Sequence, residues 1–245
     1  MRILDDIADG KFHPDGPTYA RELGIAWHPQ AYCELGRHPE FAEAFRRYSQ
    51  GDAGYGFDFA RIWSFALNCD HALSRVQGSV AELGVYRGHS SALLSLYAEK
   101  HRRKIYLCDT FEGFPEAHHE EGMGEEAKAA FKDVSLDAVK ATVGDYSGNR
   151  WVVGSFPQSI TAEMRDDRFA FVSIDCDLYE PIRAGLNFFW PRMDVGGMIF
   201  IHDYGSGHWP GATRAVDEFC AEHKVAGCLL SDLAGTYALA RSAGA

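Results

Sequence analysis

The stretch Ser79-Val-Ala-Glu-Leu-Gly-Val-Tyr-Arg-Gly-His-Ser-Ser91 decides the reading of this 245-residue chain. An apolar run ends in a turn with two glycines, and hydroxyl residues lead into the apolar pattern Ala92-Leu-Leu-Ser-Leu-Tyr-Ala98. That order predicts a buried strand, a tight turn, and a helix capped by Ser90 or Ser91. Gly84 and Gly88 lack the Cβ atoms that would hold a ligand away from the backbone, so a ligand is expected across the turn. The spacing is Glu82-x-Gly84-x-x-x-Gly88, not the G-x-G-x-x-G that seats a pyrophosphate on a helix N-terminus. A carboxylate just before the first glycine would repel a pyrophosphate. It suits a ligand with an ammonium group and a sulfonium centre.

From Val80 onward, strand and helix patterns alternate, as in a parallel sheet covered on both faces. Strands are expected at residues 79–83, 104–108, 150–153, 169–174 and 197–201. The helices between them are expected at 90–101, 135–143, 158–164 and 181–190, with another after the fifth strand carrying Ala215, Val216, Phe219 and Cys220. The two short apolar runs from Cys228 to Ala240 read as a hairpin, so one terminal strand must be antiparallel. Ahead of the sheet, Pro39 opens a helix with Phe41, Ala44, Phe45 and Tyr48 on one face. A second runs from about Asp58 to Val76, with Ile62, Phe65, Ala66, Cys69 and Leu73 on one face. Residues 1 to about 35 show no sustained period and read as an irregular arm or lid.

The formal charge of −11 argues against a nucleic-acid backbone as partner. No segment approaches a membrane span, and the acidic N-terminus lacks the apolar run of a signal peptide. The six cysteines form no C-x-x-C pair and read as small buried hydrophobes in a reducing compartment, so a cytoplasmic protein is expected. Aromatic-rich leading helices make a homo-oligomer plausible.

Ligands of open α/β sheets sit beyond the carboxyl ends of the strands, so polar residues there are the functional candidates. The second strand ends in Asp109, about twenty residues beyond Gly88, the distance at which an acid grips ribose hydroxyls. The third ends in Gly154-Ser155, the fourth in Asp175-Cys-Asp177, and the fifth in His202-Asp203. Asp177-x-x-Glu180 before Pro181 looks like a helix-capping arrangement. The glycine-punctuated segment between Asp109 and Ser135 reads as an active-site lid, with His118 and His119 more simply solvated loop residues.

The motif Glu82-x-Gly84-x-x-x-Gly88 resembles the first motif of class I S-adenosylmethionine (SAM) dependent methyltransferases. With Asp109-Thr-Phe-Glu-Gly-Phe-Pro115 and Asp175-Cys-Asp-Leu-Tyr-Glu-Pro181 following in order, the chain is similar to the macrocin O-methyltransferase (TylF/MycF-like) family. The resemblance implies an α/β Rossmann-like fold: a seven-stranded, mostly parallel sheet in the order 3-2-1-4-5-7-6, with one antiparallel strand and helices on both faces. It implies an arm and helical cap over residues 1–77 and a SAM-binding domain over 78–245. Cofactor contacts are implied at Glu82, Gly84, Tyr86, Gly88, Ser90, Asp109, Gly154, Ser155 and Asp175.

The family's metal ligands are an aspartate at the position of Asp175 and an Asp-Asp pair at the second strand tip, usually holding Mg²⁺. Here His202 and Asp203 occupy that pair. Imidazole favours other divalent metals, so the set reads as Mg²⁺, another metal, or none. The implied reaction is methyl transfer to a hydroxyl of a small polar acceptor, of sugar or natural-product type. Asp175 is the expected base and His202 its runner-up. A nicotinamide-dependent oxidoreductase and a non-catalytic SAM-fold protein are the competing readings.

Overall fold

The computed structural model describes residues 38–50, 58–232 and 234–243. The expected N-terminal arm, and Cys33 within it, lie outside that range. Among the described residues, two leading helices come first, α1 (Pro39–Gln50) and α2 (Phe59–Arg75), followed by β1 (Ser79–Leu83) and α3 (His89–Lys100). The chain continues through β2 (Ile105–Asp109), the short α4 (Glu125–Lys128), α5 (Leu136–Val143) and β3 (Asn149–Val153). Next are α6 (Ala162–Asp166), β4 (Phe169–Ile174), α7 (Tyr179–Phe189) and β5 (Met193–Ile201). Last come α8 (Pro210–His223), β6 (Cys228–Leu229) and β7 (Tyr237–Ala240).

The strands form one sheet in the order β3-β2-β1-β4-β5-β7-β6, as the resemblance implies. The five strands from β3 to β5 pair in parallel, and β7 runs antiparallel to β5 and to β6. Every residue of β1 and β4 is buried, as expected of central strands covered on both faces. Two apolar clusters flank the sheet. One joins Phe41, Phe65 and Leu73 from the leading helices to Leu94 and Phe171; the other gathers Val172, Leu186, Phe189 and Phe219. The leading helices therefore share a core with the sheet.

Several local expectations are corrected. No side chain caps α3: Gly88 holds the N-cap position with φ of 80°, and Ser91 donates its hydroxyl to buried Glu82 instead. The helix expected at 158–164 is the shorter α6, which Thr161 caps by accepting from the Met164 amide at 3.2 Å. Strand β5 begins earlier than residue 197, and its pairing with β4 carries an irregularity. Cys69 and Cys108 are buried as expected, but Cys228 is exposed.

The glycines of the opening turn are required by packing. A Cβ on Gly84 (φ 94°) would collide with the carbonyl oxygen of Asp175, and one on Gly88 would press on Val139 and Val143 of α5. The turn thus sits directly against the tip of β4.

Candidate active site

The strand tips open onto a cleft of about 370 Å³, within the size range of small-molecule sites. Gly84, Tyr86, Ser90, Asp109, Gly154 and Ser155 border one part of it. Asp175, His202 and Asp203 border it from the tips of β4 and β5. Glu82 and Gly88 do not border it, because Glu82 points into the packed layer beneath α3 and Gly88 is closed in by α5.

Asp109 holds the turn in place. Its Oδ2 accepts from the backbone amides of Val85 (2.7 Å) and Tyr86 (2.9 Å), and its Oδ1 from that of Phe111 (2.7 Å). Glu82 is fully buried, and burial pushes its carboxyl up to about 7 even though Ser91 and Ser90 donate to it.

Asp175 is gripped at both oxygens. Arg61 Nη2 donates to Oδ2 at 2.6 Å, while His202 Nδ1 lies 2.9 Å from Oδ1. Burial alone would raise the Asp175 pKa, but the Arg61 guanidinium and the His202 imidazole outweigh it and hold the carboxyl well below the usual range. His202 Nδ1 also lies 2.9 Å from Asp203 Oδ2. Burial and Arg61 would lower the imidazole; Asp175 and Asp203 win and push it up to about 10. Asp177 is buried as well, and burial followed by the charges of Asp175 and Asp203 drives its carboxyl far up. It does not cap α7 as expected; Leu178 occupies the N-cap position with no side-chain bond.

The cap comes from the lid. Glu120 Oε1 accepts from the Tyr179 amide at 2.6 Å, at the start of α7. At the other end of the lid, Asp133 accepts from Arg87 Nη2 (2.6 Å) and the Tyr86 hydroxyl (3.0 Å). Ahead of both ties the lid presents Phe114 to the cleft, edge-on to Phe131 (5.2 Å) and to Trp209 (5.6 Å). His118 also borders the cleft and is half-buried, and burial lowers its pKa, so it is not the solvated loop residue expected.

Sequence reasoning missed Arg61. A signal was present: the residue precedes Ile62 and stands four before Phe65, beside the apolar stripe, and in the first helical turn, where a cation opposes the helix dipole. Such a placement calls for an acid partner from elsewhere in the fold.

Asp175, His202 and Asp203 each offer one donor atom, all within 4.8 Å of one another, as a divalent cation requires. One nitrogen and two oxygens suit Mn²⁺, Fe²⁺ or Zn²⁺ better than Mg²⁺. By its chemistry the donor set fits a divalent cation other than the Mg²⁺ that the resemblance implies.

The sequence pattern described as Macrocin-O-methyltransferase (TylF) matches residues 66–237, more than half of the chain. The chain is 28% identical over 178 residues to a demethyldecarbamoylnovobiocin O-methyltransferase of Streptomyces niveus, covering 67% of this chain and 66% of that protein. It is 29% identical over 147 residues to a Streptomyces olivaceus 4'-O-methyltransferase acting on 8-demethyl-8-(2,3-dimethoxy-alpha-L-rhamnosyl)-tetracenomycin-C, covering 53% and 54%. Among solved structures, the fold is similar to the O-methyltransferase NovP (TM-score 0.60, 24% identity, 75% of this chain and 80% of that one). It is also similar to the calicheamicin methyltransferase CalS11 (TM-score 0.64, 18% identity, 82% and 91%). The nicotinamide-dependent alternative is left without support.

Proposed function

Because the chain belongs to the macrocin O-methyltransferase (TylF) family, we propose that it transfers the methyl group of SAM to a hydroxyl oxygen of a small polar acceptor, a sugar or a natural product. The observation that carries this reading is the meeting of Asp175 and His202, from adjoining strands, at the cleft that the Gly84 turn borders. One relative named above acts on a rhamnosyl-bearing tetracenomycin and another on demethyldecarbamoylnovobiocin, which supports the acceptor class.

The carbon moves in line from sulfur to oxygen, and the acceptor hydroxyl must give up its proton. Asp175 has both oxygens engaged and a depressed pKa, so it is poorly suited to take that proton. His202 can take it only in its neutral form, because Asp175 and Asp203 raise its pKa to about 10 and leave it protonated near neutral pH. Its Nδ1 is held by Asp175 and Asp203, which leaves Nε2 for the acceptor. In the alternative arrangement, where His202 serves as a ligand and not as the base, a divalent cation held by Asp175, His202 and Asp203 would supply a lowered pKa to an oxygen bound to it. Glu82, Gly88 and Asp109 support the cofactor side by shaping the turn, while Gly84, Tyr86, Ser90, Gly154, Ser155 and Asp175 border the volume the cofactor would fill.

The N-terminal segment to residue 77 is proposed as the acceptor-facing and oligomer-facing part. The charge of −11 supports a partner list without nucleic acid. No described helix is long and apolar enough to cross a membrane.

Calorimetry with S-adenosylhomocysteine, followed by labelled methyl transfer to a panel of hydroxylated glycosides, tests the reading. Heat of binding and label on an acceptor oxygen are expected. No binding at millimolar ligand removes it, and binding without transfer to any acceptor returns the non-catalytic reading.

A further inference from the structure

We infer that Arg61 is the positioning residue of the proposed methyl transfer, fixing Asp175 so that its second oxygen meets His202. The inference rests on the O-methyltransferase reading and adds to it a residue from outside the strand tips.

Arg61 lies in the first turn of α2, where Asp58 accepts from its backbone amide at 3.1 Å. The dipole of α2 disfavours a cation there, so the placement costs the helix stability that other contacts must return. They come from the sheet and from α2 itself. Nη2 donates to Asp175 Oδ2 at 2.6 Å, and the guanidinium stands over the Phe65 ring at 5.2 Å. With Oδ2 held from α2 and Oδ1 facing His202 Nδ1, the carboxylate has one orientation that serves both partners. Asp203 fixes the same imidazole nitrogen from the other side.

A second observation places Arg61 at the centre of a wider arrangement. Its Nε is buried with no partner among the described residues, and so is Oε1 of Glu82. One is a donor and the other an acceptor, and the two groups attract electrostatically. Arg61 thus acts on the acid inside β1 through its charge and on the acid at the tip of β4 through a hydrogen bond, and lysine, with a single ammonium, has no planar fork to keep the second while serving the first.

The experiment compares wild type with Arg61→Met and Arg61→Lys, with thermal melts confirming the fold of each. The first readout is the ring ¹⁵N spectrum of His202 in histidine-labelled protein without cofactor or acceptor, assigned by His202→Gln. We expect the His202 signals to move in both variants. The second readout is turnover. A loosened site predicts a fall in kcat of about 100-fold for Arg61→Met with little change in acceptor KM or S-adenosylhomocysteine affinity. Added guanidinium at millimolar concentration should recover part of that rate.

Unmoved His202 signals overturn the inference, as does a loss confined to KM or to cofactor affinity. Should Arg61→Met fail to fold, Arg61→Lys decides on both readouts. Should wild type transfer no methyl group, the O-methyltransferase reading fails separately, because the spectrum is read without turnover.

Discussion

Gly84 and Asp175 come so close that their backbones leave no room for a side chain between them. The Asp175 amide donates to the Leu83 carbonyl at 2.7 Å, which locks the first turn to the tip of β4. Gly84→Ala therefore meets both a steric barrier and an unfavourable φ of 94°. It is expected to destabilise the fold by roughly 3 to 5 kcal/mol. Urea unfolding checks this, and a loss below about 1 kcal/mol would mean that the strands separate more easily than their packing implies.

Glu82 makes stability depend on pH. Its folded pKa of about 7 stands above the unfolded value of 4.5, so the folded state holds the proton more tightly. The associated stability is fully present below pH 4.5 and is lost as pH rises through about 7. Glu82→Gln, which cannot ionise, is expected to gain about 3 kcal/mol over wild type at pH 8 and little at pH 4. Melting curves at the two pH values read the difference directly.

Asp175→Asn leaves the Arg61 cation without its partner. Both side chains retain some exposure, 12% for Arg61 and 21% for Asp175, so the loss is discounted to about 1 to 3 kcal/mol. A double-mutant cycle with Arg61→Met should return a coupling energy above about 1 kcal/mol. Additive single losses would show that the ion pair contributes nothing beyond its separate members.

Asp133 ties the lid to the turn from an exposed position, with 63% of its side chain in solvent. Asp133→Ala should leave the stability almost unchanged. Its effect is expected on lid closure instead, as a several-fold faster release of S-adenosylhomocysteine in stopped flow. An unchanged release rate would place the lid's closure elsewhere, at Glu120 or the aromatic contacts.

The sheet was legible because β1 and β4 are short apolar runs that end in polar tips, and parallel pairing follows from the helices between them. The acids at those tips were legible for the same reason. Arg61 and Glu120 were not, because each acts on a residue far away in sequence, Asp175 and Tyr179. No periodicity encodes such a pairing. Glycine was legible as a requirement at 84 and 88 but not in its cause, since a missing Cβ looks the same whether a ligand or the protein's own backbone fills the space. The beginning of β5 was hidden by Asp194 and the two glycines that interrupt its apolar pattern.

The first amide of α7 depends on a carboxylate carried by the connector after β2. Were that connector to swing outward, as the lid reading expects, the helix would lose its terminal acceptor, and admitting a guest would carry the fraying of a neighbouring element with it. A substitution that firms up the start of α7 would then make the doorway easier to open from a residue that no guest ever touches.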